Sequence, residues 1–280
     1  MILLGGCLLY WFSLVDIMDG NRARRLKVGS PLGRIIDEGG DTITMANYSV
    51  FIAYVWGFTN PAFEVLYLAL NFVFYAMEMR NKITGNLVMN VGELSPCELE
   101  LMFSISLILS GIFGTEFLGK TPGDYLGIPP GSKCPLHVVC EYQLRDIWGC
   151  FLFLVAIALL GDSLQDSLKH SVKKTIYFYV PVLFCLGIFF AMTQLPCYTT
   201  QKGLTLLMVN YVLSSIVLNL MVHNMTEKPF SIFQPTLLLL LLPFAAHYAK
   251  VGADLEAMVT VFVTAAGFFI FMSKMIILSI

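Results

Sequence analysis

Two pairs of aspartates carry the chemistry legible in this sequence. Asp16 and Asp19 are three residues apart, Asp37 and Asp41 four apart, and on a helix either spacing puts both carboxylates on one face. The stretch 16–41 holds four of the chain's nine aspartates and five basic residues, Arg22, Arg24, Arg25, Lys27 and Arg34, in a chain that is 57% hydrophobic and 13% charged. Carboxylates with no thiol or imidazole beside them suit a hard divalent ion, Mg2+ or Mn2+. The connection between the pairs holds Gly20, Ala23, Gly29 and Gly33, small residues that let a backbone approach a bulky ligand. Arg24 and its basic neighbours can bind phosphate, arginine as a planar fork. Metal, arginine and glycine clearance together describe a site for a pyrophosphate. Taken singly, Arg22, Arg25, Lys27 and Arg34 read as topology determinants and contacts for anionic lipid, and one aspartate pair alone reads as helix-dipole partners or solvated edge residues.

The elements that must position these groups are apolar helices. Mean hydropathy is +0.76, and runs of about 20 apolar residues, the length needed to cross a bilayer, recur along the chain. The expected fold is all-α, a polytopic transmembrane helical bundle of about nine spans: the N-terminal segment, then 42–58, 61–79, 99–118, 148–168, 175–194, 203–222, 230–248 and 256–278. The basic residues after the first span, Arg80 and Lys82 after the third, and Lys169, Lys173 and Lys174 after the fifth lie on one side, cytoplasmic by the positive-inside rule. The 119–147 loop then falls on the lumenal side, where a Cys134–Cys140 disulfide is allowed. Cys7, Cys150 and Cys185 read as small buried hydrophobes. Nothing in the net charge of −2 suggests nucleic acid. Glu64 and Asn71, on one face of the third span, read as helix-packing glue or as part of a lipid site. His223 with Asn224 reads as a capping pair or as a reach toward the site.

In sequence the residues are Asp16-x-x-Asp19-Gly20-x-x-Ala23-Arg24, eight residues, then Gly33-x-x-x-Asp37-x-x-x-Asp41. This resembles the signature of the CDP-alcohol phosphotransferases, integral-membrane enzymes of phospholipid biosynthesis. Ala23-Arg24-Arg25 and Ser30-Pro31-Leu32-Gly33 further resemble the eukaryotic choline and ethanolamine phosphotransferase branch, as do, more weakly, Thr84-Gly85-x-Leu87 and the segment Met221 to Thr226. The resemblance implies one integral-membrane domain over 1–280, with an N-terminal element of the relatives missing. It implies metal binding by Asp16, Asp19, Asp37 and Asp41, with Asp41 also the general base. Gly20, Ala23, Arg24 and Gly33 would accommodate the CDP group.

The implied reaction is attack of diacylglycerol on CDP-ethanolamine or CDP-choline, releasing CMP, at the cytosolic face of the endoplasmic reticulum or Golgi. Membrane lipids surround the enzyme, and a homodimer is one candidate assembly. Two departures bear on the substrate: Glu38 stands where that branch has His after the third aspartate, and Glu78 and Met79 stand where it has a His-Trp pair. Glu38 and Glu78 are therefore candidate substrate-positioning residues. Another CDP-alcohol head group, an inactive relative and a membrane transporter are the competing readings.

Overall fold

A computed structural model describes residues 1–57, 61–86, 96–128, 142–250 and 252–279. Cys134, Cys140 and Leu87 lie outside the described residues, as do the side chains of Arg24 and Glu64. Among the described residues the structure is helical, without strands. The helices are α1 (Ile2–Leu26), α2 (Pro31–Trp56), α3 (Pro61–Thr84), α4 (Pro96–Phe113), α5 (Pro122–Leu126), α6 (Leu144–His170), α7 (Val172–Met192), α8 (Pro196–Thr200), α9 (Lys202–Met225), α10 (Leu242–Tyr248) and α11 (Ala253–Ser279); 3₁₀ turns cover Thr115–Phe117 and Pro235–Leu241.

Every expected apolar stretch overlaps one or two of these elements, residue 58 lying outside the described residues. Among the described residues, five helices are long and apolar enough to cross a membrane: α1 over Ile2–Ala23, α6, α7, α9 and α11 over Asp254–Leu278. Two expected spans correspond to shorter apolar helices, Glu100–Phe113 and Pro235–Tyr248. The expected second and third spans lie on α2 and α3, which are not among these helices; α2 carries Arg34, Asp37, Glu38 and Asp41 in its first half.

The chain divides into two compact units. The first comprises Met1–Val28, Phe51–Leu66 and Met89–Ala158. Here α1 lies against α4 through glycines: a Cβ on Gly111 would stand 2.5 Å from Leu3 Cα, and one on Gly6 2.8 Å from the Ile108 nitrogen. Small residues allow two helix backbones to come this close. Farther along the same helix pair, the Ser13 hydroxyl donates to Glu100 Oε2 at 2.9 Å, both side chains being buried. Arg145 Nη1 donates to the Trp56 carbonyl at 2.7 Å and reaches that of Gly57 at 3.3 Å, tying α6 to the last carbonyls of α2.

The second unit comprises Gly29–Val50, Tyr67–Val88 and Leu159–Ile280. Its centre is α9, buried from Thr205 to Met221 apart from Leu207 and Asn219. A helix apolar on every side belongs inside a bundle. Asn71 of α3 donates to Asn210 Oδ1 of α9 at 2.6 Å. Arg80 of α3 donates to Asp166 through Nε and to Asp162 through Nη1, both at 2.7 Å on α6. The expectation that Cys7, Cys150 and Cys185 are buried holds for Cys185 only; Cys7 and Cys150 are exposed on the protein surface. Apolar helix faces turned outward can be covered by lipid, which removes the need to bury them in protein.

Candidate functional site

The first aspartate pair lies within α1, not at its end. The helix continues seven residues past Asp19 because Arg22, Ala23, Arg24, Arg25 and Leu26 are good helix formers. Gly20, Ala23 and Arg24 are thus helical, where the spacing had suggested a connection. α1 stops where Lys27 turns left-handed (φ 54°) and the Val28 N–H reaches back to the Ala23 carbonyl at 3.2 Å, a Schellman-type ending. Carboxylate oxygens of Asp16 and Asp19 lie within 4.8 Å of one another; Asp16 is half-buried and Asp19 exposed.

Asp19 also lines a groove of about 710 Å3 with Val15, Met18, Asn21, Arg22 and Arg25. The groove combines an acidic group, two guanidinium groups and an apolar edge on one side of α1. Arg22 and Arg25, read singly as topology charges, therefore share a surface with a signature aspartate. Their spacing of three from each other and from Asp19 was the signal that could have shown it.

The second pair lies in the first half of α2. That helix begins as Ser30-Pro31-Leu32-Gly33 dictates: Pro31 takes the first helical position, where its missing N–H costs nothing, and the Ser30 hydroxyl accepts from the Gly33 N–H at 3.0 Å. A Cβ on Gly33 would meet only the Ser30 Oγ, at 3.2 Å, so the other side of Gly33 is open. One face of α2 seats the helix. Ile35 is buried with Leu218 of α9 and Phe271 of α11, and a Cβ on Gly39 would stand 2.9 Å from Met275 Sδ. The Thr42 carbonyl accepts from Ser214 at 3.2 Å. With that face packed, Asp37 is exposed, and Glu38 and Asp41 are half-buried.

Glu78 of α3 is 1% exposed. Its Oε1 takes Arg34 Nη2 in an ion pair, and its Oε2 accepts from Asn224 Nδ2 at 2.7 Å. The same Asn224 nitrogen reaches the Glu78 carbonyl at 2.9 Å. Arg34, expected to serve topology or lipid contact, is thus drawn into the protein by a buried acid. Beside it, His223 is turned inward: its Nδ1 lies 2.6 Å from the Asn219 carbonyl, and its ring is edge-on to Phe230.

Residues 1–113 match the family model for CDP-alcohol phosphatidyltransferases, a span that includes both aspartate pairs. The chain is 26% identical over 215 residues to the uncharacterized CDP-alcohol phosphatidyltransferase class-I family protein 2 of Dictyostelium discoideum, covering 70% of this chain and 50% of that protein. It is 31% identical over 121 residues to cholinephosphotransferase 1 of Gallus gallus, covering 40% and 34% respectively. It is also 29% identical over 104 residues to a CDP-diacylglycerol–serine O-phosphatidyltransferase of Encephalitozoon cuniculi, covering 37% and 27%. The chain thus spans half or less of the length of these relatives. Residues 1–113, with the aspartates of α1 and α2 inside them, thus carry the sequence similarity to the CDP-alcohol phosphatidyltransferase family.

Proposed function

We propose that this chain is a metal-dependent CDP-alcohol phosphotransferase that moves phosphoethanolamine or phosphocholine from the CDP-alcohol to diacylglycerol. The carrying observation is the pattern itself: two one-turn carboxylate pairs on consecutive helices, joined by four residues with a defined cap at either end. The donor set fits a divalent ion. Asp16 and Asp19 bring oxygens close enough to share one ligand, and hard carboxylate oxygens are what Mg2+ or Mn2+ prefers. Asp16, Asp19, Asp37 and Asp41 would hold it. When bound, a divalent ion neutralises the charge of a diphosphate.

Phosphoryl-type transfer asks the protein mainly for placement and charge stabilisation. Gly33, open on its outer side, and Gly20 and Ala23 on α1 leave room for the CDP group, with Arg24 the candidate partner of its phosphates. Arg22 and Arg25 add positive charge along the groove beside Asp19. The diacylglycerol hydroxyl oxygen forms a bond to the β-phosphorus, the bond from that phosphorus to the CMP oxygen breaks, and Asp41 accepts the hydroxyl proton. CDP-alcohol arrives from water and diacylglycerol from the bilayer. We place the reaction at the cytosolic edge of an endoplasmic reticulum or Golgi membrane, in keeping with the basic residues of this segment.

The test is a membrane-fraction assay with diacylglycerol, Mg2+ or Mn2+, and CDP-ethanolamine or CDP-choline, scoring labelled phospholipid and CMP beside an Asp41→Ala control. Metal-dependent product lost in the control supports the reading and names the head group. The relative named for serine transfer motivates a further arm with CDP-diacylglycerol and serine. Product in that arm alone would replace diacylglycerol transfer with phosphatidyl transfer, and absence of product in every arm from folded protein would overturn the enzymatic reading.

A further inference from the structure

We propose that Glu78 is a positioning residue, a buried clasp that fixes the rotation of α2 about its own axis and so presents Asp37 and Asp41; the proposal rests on reading those aspartates as metal ligands. Both Glu78 oxygens are engaged within the protein, one by Arg34 and one by Asn224, and the side chain is 1% exposed. A carboxylate so enclosed is placed to hold helices together, and it leaves no oxygen turned toward a lipid acceptor. This differs from the substrate-positioning role the sequence suggested for it.

The clasp draws on three helices of one unit. Arg34 belongs to α2, Glu78 to α3 and Asn224 to α9. Arg34 lies three residues before Asp37 and seven before Asp41, so it projects from nearly the same side of α2 as they do. The apolar seat of α2, Ile35 and Gly39 against Leu218, Phe271 and Met275, sets how deeply the helix packs. A seat of this kind is non-directional and lets a helix roll. An ion pair to one side of that seat is directional, as bonds to a guanidinium are. Without it the aspartate face of α2 would turn relative to its neighbours in the unit, and a change in the shell that orients metal ligands costs about 10–100-fold in affinity.

The experiment uses the full chain in detergent micelles and follows Mn2+ binding by electron paramagnetic resonance, thermal unfolding, and the separate KM values for CDP-alcohol and diacylglycerol. Glu78→Gln keeps the shape and the Asn224 bond but removes the charge. It is expected to weaken Mn2+ binding by about 10-fold or more and to leave the diacylglycerol KM unchanged. Arg34→Glu should do the same, and combining Arg34→Glu with Glu78→Arg should recover most of the lost affinity. Folded Glu78→Gln protein that binds Mn2+ like the wild type would overturn the proposal, as would a rise in the diacylglycerol KM alone, which would return Glu78 to substrate contact. If the wild type binds no Mn2+, it is the metal reading that fails. The clasp is then judged by unfolding: recovery of the melting temperature in the swapped pair sustains it, and absence of recovery removes it.

Discussion

Asn71 and Asn210 meet in the middle of the second unit, the amide nitrogen of one 2.6 Å from the amide oxygen of the other, with both side chains buried. Sequence spacing had left Asn71 between helix glue and a lipid site, and this bond makes it glue. Asn71→Leu strands the Asn210 oxygen without its donor, which costs about 1–3 kcal/mol, whereas Leu at both positions should cost much less. Thermal unfolding of the two single variants and the double variant in one detergent checks the difference.

Arg80 bridges Asp162 and Asp166, which are one turn apart on α6. Its own side chain is mostly buried, while the two acids are partly in solvent, and that screening reduces the value of the pair. Arg80→Lys cannot span both carboxylates as a fork does, and we expect a loss of about 1 kcal/mol, smaller at high salt. Unfolding midpoints at low and high ionic strength would show it.

Gly111 leaves no space for a methyl group, because the added Cβ would overlap the backbone of Leu3, which has no flexible end to move aside. Gly111→Ala should push α1 from α4 and destabilise the first unit by about 1–3 kcal/mol or more. Since α1 carries Asp16 and Asp19, metal affinity should fall with stability. Gly114, with nothing within 4 Å of its hypothetical Cβ but a left-handed φ of 90°, is the contrasting site. Gly114→Ala strains only its own turn, so Mn2+ titration should separate the two variants.

Removal of the metal should abolish transfer reversibly. Chelation by EDTA followed by Mn2+ should restore CMP release in the wild type. Asp16→Asn or Asp37→Asn should lose two or more orders of magnitude in kcat/KM, roughly 3 kcal/mol of transition-state stabilisation. Full activity in either variant would remove that residue from the ligand set.

Asp124 caps α5 reciprocally with Thr121: the Thr121 N–H donates to its carboxylate at 2.8 Å, and its own N–H donates to the Thr121 hydroxyl at 3.1 Å. The Thr121 backbone N–H, followed by its hydroxyl, holds the carboxyl below the ordinary aspartate value of 3.8. A depressed carboxyl pKa stabilises the folded form above the unfolded value, and that contribution is lost as pH falls through the folded one. Amide exchange in α5, corrected for the intrinsic pH dependence, should therefore lose protection only in acid below about pH 4, and in Asp124→Asn, which has no carboxyl to titrate, this step should vanish.

Helices and signature were legible because both are local. Apolar runs of span length announce α6, α7, α9 and α11, and Ser30-Pro31 announces the start of α2. The extent of α1 was less so, since a charged stretch such as Arg22–Lys27 reads equally as loop or as helix until its cap at Lys27 is seen. Least legible were partnerships fixed by which helix faces meet. Arg34 reads as a topology charge until Glu78, 44 residues away in sequence, is found against it. Glu100 drew no notice in sequence, yet it is buried against Ser13, one turn before Asp16. Nothing in the periodicity of α3 or α4 specifies those neighbours.

The enclosure of α9 sets where this sequence can drift. Leu183, Phe184 and Phe190 on α7 and Phe262 and Phe269 on α11 are exposed on the protein surface, and at such positions one greasy side chain can replace another with little effect on assembly. Around α9 almost every position touches protein, so a change of even one methylene must be answered by a neighbour. Mutational tolerance should therefore be graded by helix, broad along the outer faces of α7 and α11 and narrow through Leu206–Met221. A saturation library scored for folded protein would draw that gradient directly.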